Sequence, residues 1–316
     1  MIKIIYNLNF NVLQSMTEEW EEEKNMIDTR VETFLDVCKT MNYTRTAENL
    51  NMTQPAVSQH IRYLEEFYQV KLFSYQNKKL ELTDQGRYLK KNLETISHDV
   101  KYLQESVQNI KKRSRVRLGA TLSIGEFYLP DRLSSFMDKN PELDISVTIA
   151  DTRELLLRLD GGEVDLILCE GYFDKNEYVH KLIKKEDMCI VCSAEYDSSQ
   201  MKDLEDLFEH PMLCRENGSG TREIFENYLH EYNYSFENFT RISEFTSPHL
   251  IKKLLMDKHG ISVLYKTVVE KELQQKMLKI IDIPEFHVTH EFNAVWKKGS
   301  VFGEQYREWI DWLLEI

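Results

Sequence analysis

Seven apolar residues, Leu89, Leu93, Ile96, Val100, Leu103, Val107 and Ile110, step by 4, 3, 4, 3, 4 and 3 along the chain. That is the seam of a heptad repeat. It fixes one long helix whose apolar stripe has to be covered by another surface. No second helix of matching length lies nearby in sequence, so the stripe predicts self-association through these seven residues; the alternative is packing against the chain's own body. Spacing leaves the pair free to run parallel or antiparallel. Lys111-Lys112-Arg113-Ser114-Arg115 follows, putting cations at the negative end of the helix dipole and opening a hinge. The helix and hinge, 88–114, divide a small head from a large body.

Charge follows the same division. Residues 1–25 carry a net −3, residues 26–114 a net +3 and residues 115–316 a net −13. A basic head on an acidic body suits a head that meets phosphates while the body repels them. Five Cys in 316 residues form no disulfide framework and point to a reducing compartment. No apolar run reaches the roughly 18 residues that span a bilayer.

Residues 1–25 lack the small-residue cleavage site of a secretory signal. Trp20-Glu21-Glu22 is encodable by TGG-GAG-GAA, a purine-rich ribosome-binding sequence upstream of Met26. Translation is therefore expected to start at Met26, with 1–25 non-native; the alternative is a mobile extension.

In the head, Val31, Phe34, Leu35, Cys38 and Met41 recur at helical spacing, with Asp28 or Thr29 as cap, predicting a helix over about 28–41. Thr44 is expected to cap a second, short helix carrying Ala47 and Leu50. After the turn Asn51-Met52-Thr53, Thr53 caps a third, with Pro55 in its first turn. Val57, Ile61 and Leu64 face inward there, leaving Gln54, Pro55, Ser58, Gln59 and Arg62 on the opposite face. Two short helices joined by a three-residue turn make a helix-turn-helix. Gln can bond adenine twice, Arg can bond guanine or phosphate, and Ser can bond either base or phosphate. The alternative is an ordinary amphipathic helix. Alternation around Gln76-Asn77-Lys78-Lys79 predicts a hairpin whose basic tip, Lys78 and Lys79, rests on phosphates.

Phe34-Leu35, Tyr43-Thr44-Arg45-Thr46-Ala47, Thr53-Gln54-Pro55-Ala56-Val57-Ser58, Leu64-Glu65, Leu72-Phe73 and Leu82-Thr83 with Gly86 match in register. On these residues the segment 26–87 resembles the winged helix-turn-helix DNA-binding domain of LysR-type transcriptional regulators. Gln69 departs from the pattern where a Gly usually ends the recognition helix, and Tyr75 where an Arg usually follows Leu-Phe. The resemblance implies binding to double-stranded promoter half-sites, with Thr44 added to the DNA contacts. It also implies a homodimer or homotetramer, with an antiparallel helix pair as precedent.

From residue 116 short apolar runs alternate with amphipathic stretches. Val116–Ala120, Ile145–Ile149 and Val164–Leu168 read as buried strands, and Phe127–Lys139 and Arg153–Gly161 as helices. That alternation predicts a parallel sheet. Met188–Cys192 is expected to begin a crossing into a second lobe. That lobe would hold strands at Met212–Cys214, 240–245 and Ile261–Tyr265, with helices near 221–232 and 248–258. Segment 286–296 returns to the first lobe and a helix over 303–315 closes it. Ligands of such sheets sit at the carboxyl ends of strands. The loops there are Thr121-Leu122-Ser123-Ile124-Gly125, Asp151-Thr152 and Asn217-Gly218-Ser219-Gly220-Thr221-Arg222. In the last, two Gly, two hydroxyls, Arg215 and Arg222 make a small-anion site. It lacks the Gly-Lys-Ser/Thr of a nucleotide loop. The alternative is a helix cap with flexible Gly.

Residues 115–316 resemble the two-lobed, periplasmic-binding-protein-like (type 2) effector domain of the same regulators. The runs 120–126 and 215–225 are similar to the subgroup tied to sulfur assimilation and cysteine metabolism. The resemblance implies a small effector between the lobes, expected to be an anion, held by Thr121, Ser123, Thr152, Ser219, Thr221 and Thr246. Asp151 stands where a neutral Asn is more usual and argues against a doubly charged ligand. Cys189 and Cys192 match a CxxC, but in a strand they face opposite ways; Cys169 is the best-placed redox candidate. No catalytic set, cofactor or metal site announces itself. The α/β chain therefore reads as a cytoplasmic, ligand-switched transcription regulator and not an enzyme. A solute-binding protein and an α/β enzyme are the rivals.

Overall fold

The computed structural model describes residues 26–76, 79–108 and 114–314. The expected extension 1–25, Lys78, Ile110 and the hinge residues Lys111, Lys112 and Arg113 lie outside them. The chain divides into two compact units between Gln104 and Glu105, inside the long helix.

The first unit is a helical triplet with a hairpin. Helix α1 (Thr29–Thr40) is capped by Asp28, whose carboxylate accepts from the Arg30 N–H at 2.8 Å. Helix α2 (Tyr43–Asn49) is capped by Asn42 and not by the expected Thr44. The Asn42 amide oxygen reaches both the Thr44 and Arg45 N–H groups, at 2.9 and 3.1 Å, which leaves Thr44 exposed inside the first turn. Helix α3 (Gln54–Tyr68) starts on Thr53 with Pro55 in its first turn. It ends at Gln69, which takes the left-handed conformation at φ 56° usually left to glycine. Strands β1 (Phe73–Gln76) and β2 (Lys79–Leu82) pair antiparallel from Phe73↔Leu82 to Gln76↔Lys79. Phe34, Val37, Val57, Ile61 and Leu72 fill the core. Glu65 ties α3 to the hairpin by accepting from the Leu72 N–H at 2.9 Å.

Helix α4 (Asp84–Gln108) runs 25 residues. Gly86 in its first turn lies so close to the hairpin that a Cβ there would sit 2.1 Å from the Leu72 carbonyl oxygen. Of the seam, Leu93 enters the head core, and Leu89 and Val100 are half-buried. Ile96, Leu103 and Val107 are 54%, 42% and 57% exposed.

The second unit is built on one nine-stranded sheet, eight strands in a continuous path and one branching from it. Strands β3 (Ser114–Ala120), β4 (Leu143–Ile149) and β5 (Leu166–Cys169) are parallel, with β3 between the other two. Helices α5 (Leu129–Lys139) and α6 (Thr152–Asp160) make the crossovers, and α5 is preceded by a π-helical turn over Ile124–Tyr128. Strand β6 (Tyr178–Ser193) is far longer than the expected Met188–Cys192. Its first part pairs with β11 (Thr289–Lys297), which also pairs antiparallel with β5. From Met188 it pairs with β9 (Ile261–Tyr265) on one side, and from Ile190 with β10 (Leu278–Ile281) on the other. Strand β6 therefore belongs to both lobes. The second lobe continues through β7 (Met212–Arg215) to β8 (Ile242–Phe245), in parallel pairing. Helices α7 (Leu204–Phe208), α8 (Gly220–Glu231), α9 (Pro248–Met256) and α10 (Lys266–Gln274) cover it, and α11 (Gly303–Leu314) closes the chain. Among the described residues no helix is long and apolar enough to cross a membrane.

Buried Arg117 and Asp165 clamp β3 to the segment before β5. The Arg117 guanidinium donates to Asp165 at 2.6 Å and to the Gly162 carbonyl at 2.9 Å. With no Cβ, Gly119 lets Ile167 and Leu155 close over the strand. These contacts hold β3 against β5, whose carboxyl ends border the site.

Candidate functional site

A cleft of about 370 Å³ opens where β3, β4, β5, β7 and β8 end. Thr121, Thr152, Ser219 and Thr246 line it, with Leu122, Asp151, Arg215 and Ser247. Ser123 and Thr221 do not line it. Both are buried behind it, where their hydroxyls meet at 3.3 Å between the two lobes.

Each wall follows from its sequence. Asp151 spends a carboxylate oxygen on the Glu154 N–H, 2.8 Å away, and so caps α6. Thr152 packs on Gly171, where a Cβ would fall 2.3 Å from the Thr152 hydroxyl. That hydroxyl is buried without a hydrogen-bond partner. Gly218, at φ 92°, turns the chain so that Ser219 starts α8. Ser219 makes no side-chain cap bond to the helix, so the positive end of the α8 dipole meets the cleft without its own hydroxyl across it.

The two expected cations behave differently. Arg215 is buried at the cleft, but its guanidinium lies on Glu216, with contacts of 2.8 and 2.9 Å. Arg222 turns away from the cleft. It pairs with Glu226 at 2.7 Å and with Glu244, and its guanidinium lies 4.9 Å over the Phe236 ring. The helical repeat puts Arg222 two residues beyond Gly220, on the flank that faces Glu244 and Glu226.

Carboxylates that sequence reasoning passed over complete the lining. Glu170 follows β5 directly, is 4% exposed and accepts a hydrogen bond from the Thr121 hydroxyl. Burial pushes its carboxyl above the usual carboxylate range, more than the Thr121 hydrogen bond pulls it down. Its signal in the sequence was a charged residue between an all-apolar strand and a glycine. Glu126, on the π-helical turn, stands 3.1 Å from His249 at the start of α9.

The head presents a second surface. Gln54, Pro55, Gln59 and Arg62 are exposed along α3, and Ser58 is half-buried among them. The Gln54 amide donates to the Ser58 hydroxyl at 2.9 Å, and Arg62 pairs with Glu66 at 3.0 Å. Thr44, Thr53 and Lys79 are exposed on the adjoining elements.

The five cysteines are buried free thiols. Cys189 and Cys192 lie three apart in β6, and burial pushes them up to about 12 and about 11. Burial raises Cys169 as well. A buried thiol held above the usual range yields little thiolate, so Cys169 is a poor redox sensor.

The family model described as LysR substrate binding domain matches residues 111–316. The model described as bacterial regulatory helix-turn-helix protein, lysR family, matches residues 29–87. Among curated relatives, the chain is 27% identical to the HTH-type transcriptional regulator CysL of Bacillus subtilis over 269 residues, covering 84% of this chain and 89% of that protein. It is 26% identical to the HTH-type transcriptional activator CmpR of Synechocystis over 294 residues, covering 92% and 95%. Among solved structures, CrgA, a LysR-type transcriptional regulator from Neisseria meningitidis, superposes with a TM-score of 0.53 at 20% identity, covering 92% of this chain and 99% of that one. The Synechocystis CcmR regulatory domain, solved in complex with 2-PG, gives 0.57 at 21% identity, covering 64% and 97%. At these identities the structures share the fold.

Proposed function

Because the chain belongs to the LysR family of transcriptional regulators, whose two models together match most of its length, we propose that it binds promoter half-sites as a homodimer or homotetramer and switches on a small effector held between its lobes. The family is one of regulators and not enzymes. Working on DNA, the protein would act in the cytoplasm.

The observation that carries the effector reading is the α8 N-terminus, which meets the cleft with its Ser219 hydroxyl uncommitted to the helix. Donor groups gathered there suit an anionic or acceptor-bearing part of a ligand. Thr121, Thr152 and Thr246 supply further hydroxyls; Ser123 and Thr221 act behind the cleft by joining the lobes. The CcmR regulatory domain, which shares the fold, was solved in complex with 2-PG, in keeping with a small ligand on a domain of this fold. For the head, the exposed row Gln54, Pro55, Ser58, Gln59 and Arg62 is the base-reading face, flanked by Thr44, Thr53, Lys78 and Lys79 as backbone contacts. The stalk residues Leu89, Leu93, Ile96, Val100, Leu103, Val107 and Ile110 support pairing through the exposure of Ile96, Leu103 and Val107.

The switch is a population shift. An effector that binds the closed lobes more tightly than the open ones changes subunit packing and, with it, the spacing of the heads. Thermal denaturation with small oxyanions and amino-acid metabolites, repeated with Ser219→Ala and Thr121→Val, tests it. Ligand stabilisation that both variants lose supports the cleft; stabilisation that both keep moves the site elsewhere.

A further inference from the structure

The charged groups lining the cleft do not balance. Four carboxylates reach it, those of Glu126, Asp151, Glu170 and Glu216, and Arg215 is the one Lys or Arg lining it among the described residues. Three of the four have work in the fold: Asp151 caps α6, Glu216 holds Arg215 and Glu126 faces His249. Glu170 differs. It is 4% exposed, and among the described residues it forms no ion pair: the Thr121 and Ser123 hydroxyls bond to it, and the Arg215 charge reaches it from its place on Glu216. A buried carboxylate without an ion-pair partner is costly. Its surroundings are shaped around it. Gly171 follows it and Gly220 approaches from the second lobe, where a Cβ would lie 3.5 Å from the Glu170 side chain and 3.4 Å from the Gly171 backbone. Glu170 thus sits on the first lobe opposite the α8 N-terminus on the second.

We infer that the effector carries a cationic nitrogen, an ammonium or guanidinium group, that pairs with Glu170. With an acceptor group at the α8 N-terminus, the ligand class is a small zwitterion, an amino acid or a close derivative, and not a dianion. This rests on the reading of the cleft as the effector site. A ligand of this kind binds the two lobes through opposite charges, so neither end alone closes them. Asp151, which disfavours a doubly charged anion, is compatible with it.

The test uses the full-length protein and matched pairs that differ in the nitrogen: glycine against glycolate, L-serine against glycerate, 6-aminohexanoate against 6-hydroxyhexanoate, with methylammonium and methylguanidinium as fragments and sulfate and phosphate as plain anions. Thermal shift and titration calorimetry are read on wild type, Glu170→Gln and Ser219→Ala. The expected result is binding by at least one nitrogen-bearing member and not by its hydroxyl partner. Glu170→Gln then weakens it by about 10- to 100-fold, the scale of a lost charge-assisted hydrogen bond. Wild-type discrimination within pairs decides the matter even if Glu170→Gln fails to fold. Plain anions or hydroxy acids binding as well as their amino partners, with Glu170→Gln silent and Ser219→Ala damaging, overturn the inference and leave the cleft reading standing. No binding by any compound overturns both.

Discussion

Ser123 and Thr221 meet hydroxyl to hydroxyl at 3.3 Å, one on the turn after β3 and the other in the first turn of α8. Both are buried, so this pair is a polar seam between lobes that β6, the return to β11 and the Glu126–His249 contact also join. Replacing Thr221 by Val removes one partner of the Ser123 hydroxyl and leaves it bonded to Glu170. The cost to unfolding free energy is about 0.5–1.5 kcal/mol, read by chemical denaturation. The double change Ser123→Ala with Thr221→Val is expected to cost less than the sum of its singles, because both remove the same hydrogen bond; a double variant no better than that sum argues against the pair.

Glu170 predicts a pH dependence. Burial raises its carboxyl pKa in the folded chain, so the folded state holds this proton more tightly than the unfolded chain does. The resulting stabilisation is fully present below the unfolded pKa and is lost as pH rises through the folded one. Glu170→Gln removes that loss. Without ligand, the variant is expected to match wild type in mild acid and to exceed it by a margin that grows as pH rises. A stability difference that does not grow with pH contradicts the assignment.

Gly86 tests how α4 is seated. A Cβ there meets the Leu72 carbonyl at 2.1 Å, and backbone cannot yield as a side-chain tip can. Gly86→Ala is expected to destabilise the head by about 1–3 kcal/mol. Differential scanning calorimetry should show the head's transition lowered and that of the larger unit unchanged.

On DNA, the two classes of contact separate by salt. Gln59→Ala is expected to cost about 1–3 kcal/mol on the cognate site and little on random duplex. Lys79→Ala should weaken both and lower the salt slope by about one. Equal loss on both duplexes for Gln59→Ala defeats its base-reading role.

Much of this architecture was legible in the sequence because it rests on local patterns. Thr53 before Gln54-Pro55 marks a helix start by capping chemistry, and the heptad steps mark α4. Boundaries fared worse where two residues compete for one role. Asn42 displaced Thr44 as cap because its amide oxygen reaches two N–H groups at once. Strand β6 was read as five residues because its first part carries clustered charges, Lys181, Lys184, Lys185 and Glu186 among them. That part is recruited by its partner β11 and not by its own apolar pattern. In the cleft, hydroxyl-bearing loops were visible, but their roles were not. Whether Ser123 lines a pocket or braces it depends on Thr221, 98 residues away. Arg222 looked like a ligand cation until Glu226 and Glu244 claimed it. Glu170 showed in the sequence only as an acid between an apolar strand and a glycine; its meaning appears when Thr121 and Gly220 close around it.

The central claim is that the face around Ser58 enters duplex DNA, carried by a paired stalk. Fluorescence anisotropy on the protein's own promoter region and on a random duplex, run beside sedimentation velocity, tests it most directly. The account predicts a dimer or tetramer that prefers its promoter by about a thousandfold or more at physiological salt, and loses both assembly and preference in Ile96→Asp with Leu103→Asp. A monomer that binds the two duplexes alike would contradict it.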